Sequence, residues 1–139
     1  MIRPVVQEER TGCGIAAAAA LAGVSYARAK AVAKSLGIVA SDRKLWSETE
    51  YVQDLLAQFG LRAARTRQPF HSWASLPDYA LLAIKWHLEQ GRPFWHWVVF
   101  VRENDRSYVV DSSPTLKAPL RTDFGRMRPV WFLTVTRKR

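Results

Sequence analysis

The run Cys13-Gly14-Ile15-Ala16-Ala17-Ala18-Ala19-Ala20-Leu21-Ala22 constrains this chain more than any other feature. Alanine and leucine are strong helix formers, and Gly23 suits the end of such a helix. The helix is apolar all round, so the fold has to bury it on most sides. Its small side chains let other elements come close to its axis.

The rest of the chain supplies the cover. At 139 residues it has the length of one domain, taken here as residues 1–139. A domain of that size buries about 70% of the surface its unfolded chain exposes, so it needs no disulfide or metal to hold a core. Residues 1–12 read as an extended arm, with Pro4 disfavouring helix and Thr11-Gly12 as a break. Ser25 is placed to cap a second helix over 26–35, ended by Gly37. Ser47, with Glu50 three residues on, reads as a capping box for a third helix, whose core face is Val52, Leu55, Leu56 and Phe59 before Gly60.

The second half changes period. Strands are expected over 61–66, 80–86, 95–102, 107–111 and 130–136, with a hairpin turn at Asn104-Asp105. Helices first and antiparallel strands second make an α+β layout. Trp86, Trp97 and Trp131 are expected in the core, His87 in a loop, and Arg65 and Arg67 on one face of a strand over 61–67.

Four residues carry candidate chemistry. Cys13, the only cysteine, lies between two glycines at the first turn of the alanine helix. A helix N-terminus carries partial positive charge and stabilises a thiolate. The glycines leave room for another backbone or a substrate. Taken alone, Cys13 is equally a small buried hydrophobe. His96, read as opening the 95–102 strand, is the candidate base, with a packed core ring as its other reading. Asp111 ends the partner strand. The Asn104-Asp105 turn brings it beside His96, where it orients the imidazole or merely caps the Ser112-Ser113-Pro114 turn. The Cys13 N–H is one oxyanion donor, and the Gln7 side-chain amide is the candidate second.

Together, Gln7, Cys13-Gly14, His96-Trp97-Val98-Val99 and Tyr108-Val109-Val110-Asp111-Ser112 resemble the papain-like cysteine peptidases. The likeness is greatest to the bacteriocin-processing peptidase family C39 and its C39-like relatives. It implies a papain-like fold, the nucleophile helix packed on a C-terminal antiparallel β-sheet. It also implies roles: Cys13 nucleophile, His96 general base and then acid, Asp111 its orienter, Gln7 support for the oxyanion hole. Gly12 and Ile15 stand where that family usually has an acidic residue and a proline or small residue.

The expected function is hydrolysis of a peptide or amide bond through a thioester at Cys13, with no metal or organic cofactor implied. Deamidation or acyl transfer would use the same residues. A different class remains open, an inactive papain-like scaffold that binds an acidic protein or nucleic acid. A formal charge of +9 favours acidic partners for either. Nucleic acid is the lesser reading, since no helix-turn-helix, RNP or zinc-finger pattern occurs. No run reaches the roughly 20 apolar residues of a membrane span. No basic cluster follows Met1, so a cytoplasmic protein, or one exported as an effector, is expected.

Overall fold

In a computed structural model, residues 2–137 are described. Three helices come first, α1 (Cys13–Ala22), α2 (Tyr26–Ser35) and α3 (Glu50–Gln58), with a 3-10 turn (Arg43–Ser47) before α3. Seven strands follow, β1 (Leu61–Ala63), β2 (Gln68–Pro69), β3 (Tyr79–Glu89), β4 (Arg92–Glu103), β5 (Arg106–Val110), β6 (Leu120–Arg121) and β7 (Trp131–Arg137), and a four-residue α4 (Phe124–Met127) precedes β7. All pairings are antiparallel, in the order β1-β7-β3-β4-β5-β6, with β2 also against β7. The α+β layout is therefore the one expected. No single described helix is long and apolar enough to cross a membrane.

The first two helices form where the sequence places them. Gly23 ends α1 in the left-handed region, and the Ser25 side chain accepts from the Arg28 N–H at 3.1 Å to cap α2. Residues 13–20 of α1 are all buried, as an apolar helix requires. The third helix is the exception. Ser47 ends the 3-10 turn instead of capping α3, and its hydroxyl donates to the Lys44 carbonyl. Thr49 takes the cap position of α3 without a side-chain bond, so the capping-box expectation is corrected. The core face holds, with Val52, Leu55 and Leu56 fully buried.

The sheet has two covered faces. One packs on the helices through Leu81, Trp95, Trp97, Val99, Val101 and Leu133. The other, built on Leu82, Ile84, Val98 and Phe100, is covered by Phe70, Trp73, Leu76, Phe124 and Met127. Arg102 pins that second cover by donating to the carbonyls of Leu76 (2.7 Å) and Trp73 (3.0 Å).

Several strand limits move. The 80–86 and 95–102 segments extend into one long hairpin that turns at Gln90-Gly91, both with positive φ. His87 is therefore a strand residue paired with Phe94, not a loop histidine. Pro93 is tolerated because its nitrogen faces the open edge of β4, away from β3. A bulge sets Lys85 and Trp86 against Trp95 alone, with Lys85 at φ 56°. Beyond the bulge Trp86 is 42% exposed, which corrects its assignment to the core; Trp97 and Trp131 are buried as expected. β1 ends at Ala63, so Arg65 and Arg67 do not share a strand face. Arg65 lies 3.8 Å from Asp54, and the Arg67 guanidinium covers the Trp131 ring at 4.1 Å. The cluster Arg137-Lys138-Arg139 reads from sequence as a basic tail, of which Lys138 and Arg139 lie outside the described residues.

Ala18 and Ala19 have no exposed surface. Ala18→Leu should therefore overpack α1 and lower stability by roughly 1–3 kcal/mol. A urea midpoint equal to wild type would show that α1 has room on that side.

Candidate active site

The site forms where β5 stops and β4 continues. The last β4–β5 pair is Val99 with Val110, after which the Asp111 N–H turns to the Pro119 carbonyl at 2.8 Å. Two residues further back along β4, the Trp97 N–H points the same way and meets no strand. It donates instead to Cys13 Sγ at 3.5 Å. The vacated edge of β4 thus receives the first turn of α1. The Cys13 N–H belongs to that turn and has no acceptor within the helix. Two backbone donors therefore serve Cys13 from two elements, one at the sulfur and one beside it.

His96 is next to Trp97. It lies inside β4 rather than at its start, because β4 begins four residues earlier at Arg92. The bulge beside Trp95 re-aims this stretch, and His96 Nε2 lies 2.8 Å from Asp111 Oδ1. Cys13 acts on the same imidazole electrostatically, and its Sγ accepts from the N–H of the next residue, Trp97. Burial disfavours the charged ring. The bond to Asp111 and the influence of Cys13 outweigh that and push His96 up to about 9. Asp111 is fully buried. Burial would raise its carboxyl, but His96, the Ser113 N–H and Arg121 hold it down at about 2. The chain thus brings together Cys13, His96 and Asp111, the three residues expected to meet.

Gln7 comes to the same end of the molecule, with its side chain bonded to its own turn and to Ser112. Its amide Nε2 donates to the carbonyls of Glu9 and Arg10, each at 3.0 Å. Its Oε1 accepts from Ser112 Oγ at 2.8 Å, and its backbone N–H bonds the Ser112 carbonyl. Both amide hydrogens are occupied, so the side chain does not offer a donor beside Cys13 in this state. It shapes the 7–12 turn that presents the Cys13 N–H.

The glycines around Cys13 are filled by tyrosines, not left open for a substrate. A Cβ on Gly12 would land on the Tyr26 hydroxyl, and one on Gly14 on the Tyr51 hydroxyl. Tyr26 donates to Glu9, whose other carboxylate oxygen takes Lys30 Nζ at 2.6 Å. The Tyr26 ring and Glu9 supply the reason an acidic side chain does not fit at position 12. Tyr51 donates to the Leu45 carbonyl at 3.1 Å. Burial, and then the charge at Cys13, hold its phenol well above the ordinary value, so it stays neutral. The 3-10 segment adds Trp46, whose indole N–H donates to the Arg10 carbonyl at 3.1 Å, and the Thr11 hydroxyl donates to the Ala40 carbonyl. The result is a thiol with no exposed surface.

Arg121 is the residue that sequence reading missed. By sequence it reads, with Arg126 and Arg128, only as part of the basic surface charge, whereas its side chain is 14% exposed and donates to Asp111 Oδ2 at 3.0 Å. The available signal was Asp123, two residues on, which is spaced to hold an arginine on a strand.

Among solved structures, the fold is similar to that of a double-glycine-motif protease from an AMS/PCAT transporter, solved in complex with the leader peptide. The match has a TM-score of 0.62 at 18% identity and covers 99% of this chain and 93% of that one. No protein-family model and no curated protein matches the sequence. At this identity the likeness carries the fold, which is the papain-like α+β arrangement with helices packed on an antiparallel sheet.

Two outcomes follow from this geometry. The rise of His96 from 6.5 to about 9 contributes stability that is whole below pH 6.5 and is lost as pH climbs through 9. The fall of Asp111 from 3.8 to about 2 contributes stability that is whole above pH 3.8 and is lost as pH drops through 2. Urea unfolding measured against pH should therefore show a decline from 6.5 to 9 that His96→Ala removes. An identical decline in both proteins would assign it to other groups. Separately, Gly12→Ala should destabilise the site turn, and Tyr26→Phe in the same chain should recover part of the loss by removing the hydroxyl in its way. Additive losses in a double-mutant cycle would contradict that contact.

Proposed function

We propose that the protein is a cysteine hydrolase of peptide or amide bonds, with Cys13, His96 and Asp111 as its triad. The observation that carries this reading is the His96 imidazole held on Asp111 at 2.8 Å while the Cys13 sulfur takes the N–H of the adjacent Trp97 at 3.5 Å. With Nε2 on Asp111, the other ring nitrogen, Nδ1, is the one left to take the thiol proton. The thiolate attacks the substrate carbonyl carbon and forms the C–S bond. The carbonyl oxygen becomes an oxyanion that the Cys13 N–H is placed to receive. His96 returns the proton to the leaving amine as the C–N bond breaks, leaving a thioester. Water, deprotonated by His96, then releases the acid. Deamidation follows the same path with ammonia leaving, and acyl transfer with another nucleophile in place of water. Asp111 keeps Nε2 occupied and stabilises imidazolium throughout. In this reading Gln7 serves indirectly, by fixing the turn before α1.

The substrate class is a peptide, as it is for the protease with the similar fold, and the +9 charge favours an acidic one. One observation favours the other class, a binding scaffold without turnover. The Cys13 thiol has no exposed surface, so a substrate has to move the segments that enclose it.

Thiol chemistry separates the two. Alkylation of Cys13 by iodoacetamide should proceed well below the roughly 8.5 of a free cysteine. His96→Ala should lose that acid-side reactivity, and Asp111→Ala should weaken it. A profile like free cysteine in all three proteins, or reaction only after denaturation, would make Cys13 a packing residue and leave the scaffold.

A further inference from the structure

Asp111 is held from both oxygens. Oδ1 accepts from His96 Nε2 at 2.8 Å and from the Ser113 N–H at 3.0 Å. Oδ2 accepts from Arg121 Nη1 at 3.0 Å. Arg121 is itself fixed from the other side, where Nε and Nη2 fork onto Asp123 Oδ1 and Oδ2 at 2.9 and 2.7 Å. The backbone supports this geometry, because Arg121 pairs with Val109 and Leu120 with Val110 on neighbouring β6 and β5. A guanidinium has five donors in one plane and can hold two carboxylates at once; an ammonium has no such plane.

We propose that Arg121 is a positioning residue for the triad, clamped by Asp123 so that it fixes the plane of the Asp111 carboxylate and keeps Oδ1 on His96. The proposal rests on the hydrolase reading for its role in catalysis, although the clamp itself stands on the five hydrogen bonds above. A carboxylate torsion is broad and roughly two-fold. Two donors on Oδ1 leave the group free to pivot about that oxygen, and the third donor on Oδ2 stops it. Arg121 acts on His96 in two opposed ways. Its charge offsets part of the carboxylate's charge and weakens the pull on imidazolium. Its geometry strengthens that pull by keeping the bond in line. Positioning is the larger effect here because Asp111 is fully buried, with no water at hand to replace the lost donor.

The opposed signs make the test decisive. His96 is titrated by NMR in Cys13→Ser, identified by comparison with Cys13→Ser/His96→Ala, so the readout does not depend on thiol reactivity. Arg121→Met and Arg121→Lys are each added to Cys13→Ser, with Asp123→Asn as the milder case. Positioning predicts that the His96 midpoint falls by about one pH unit in both Arg121 variants, and less in Asp123→Asn, with the low-field Nε2–H resonance weakened. A midpoint that rises in Arg121→Met and stays put in Arg121→Lys would show a charge effect alone and overturn the proposal. Unchanged midpoints with only reduced thermal stability would also overturn it, by making the clamp purely structural. If Arg121→Met does not fold, Arg121→Lys and Asp123→Asn decide between the same outcomes. A lowered midpoint without acid-side alkylation in the Cys13 protein would keep the clamp and discard the hydrolase.

Discussion

The meeting of the α1 N-terminus with the bare edge of β4 organises everything else. A strand that loses its neighbour exposes backbone donors, and a helix start exposes donors of its own. Left facing each other, these would repel or require water. Cys13 resolves the conflict with a polarisable sulfur that accepts from the Trp97 N–H. The same termination of β5 at Val110 releases Asp111 from the ladder and sends Ser112 to meet Gln7. A single strand ending therefore positions the sulfur, the carboxylate and the arm together. The bulge at Lys85-Trp86, just across from Trp95, re-aims β4 beside the imidazole that links them.

Burying charge at such a place is costly unless each group has a partner. The charges here alternate along a line from the interior outward. His96 faces Asp111, Asp111 faces Arg121, and Arg121 faces Asp123, which is 38% exposed on its side chain. Each member offsets the desolvation of the one before it, and the chain ends where water can take over. This explains how Asp111 stays ionised with no exposed surface, and why His96 is held as a cation despite its burial.

Local sequence patterns made the helices legible, because their signals are short-range. Gly23, Ser25, Gly37 and Gly60 act within a turn of where they stand. The nearness of His96 and Asp111 was legible too, since a hairpin with a two-residue turn at Asn104-Asp105 brings the earlier part of β4 beside the end of β5, although the ladder stops at Val99 and Val110 before reaching them. What was hidden depends on distant contacts. Ser47 matches a capping box in sequence, yet residues 43–47 instead form a 3-10 turn beside β4. Arg92 and Pro93 look like a loop, but pairing with Glu89 and Leu88 carries β4 through them. Arg121 looks like any surface cation until β6 pairs with β5 and sets it against Asp111. Gln7 fits the position of an oxyanion donor, but nothing in its neighbours reveals that the carbonyls of Glu9 and Arg10 occupy its amide.

The enclosure of Cys13 comes from the same contacts that order the site. The 7–12 turn is tied to α2 through Glu9, to the 3-10 segment through Arg10, and to residue 40 through Thr11. The Arg43 guanidinium lies against Trp46 and Phe94 and reaches Glu89 at 3.0 Å, joining that segment to the projecting hairpin. The exposed members of this set, the Arg43–Glu89 pair and the Trp46 indole bond, are individually weak, worth about 1 kcal/mol or less. The inner contact between His96 and Asp111 is charge-assisted and shielded from solvent, which makes it stronger. Opening from outside therefore breaks the weak set before the strong one. The His96–Asp111 pair keeps its geometry while the cover moves, so a sealed thiol is compatible with the hydrolase proposed above.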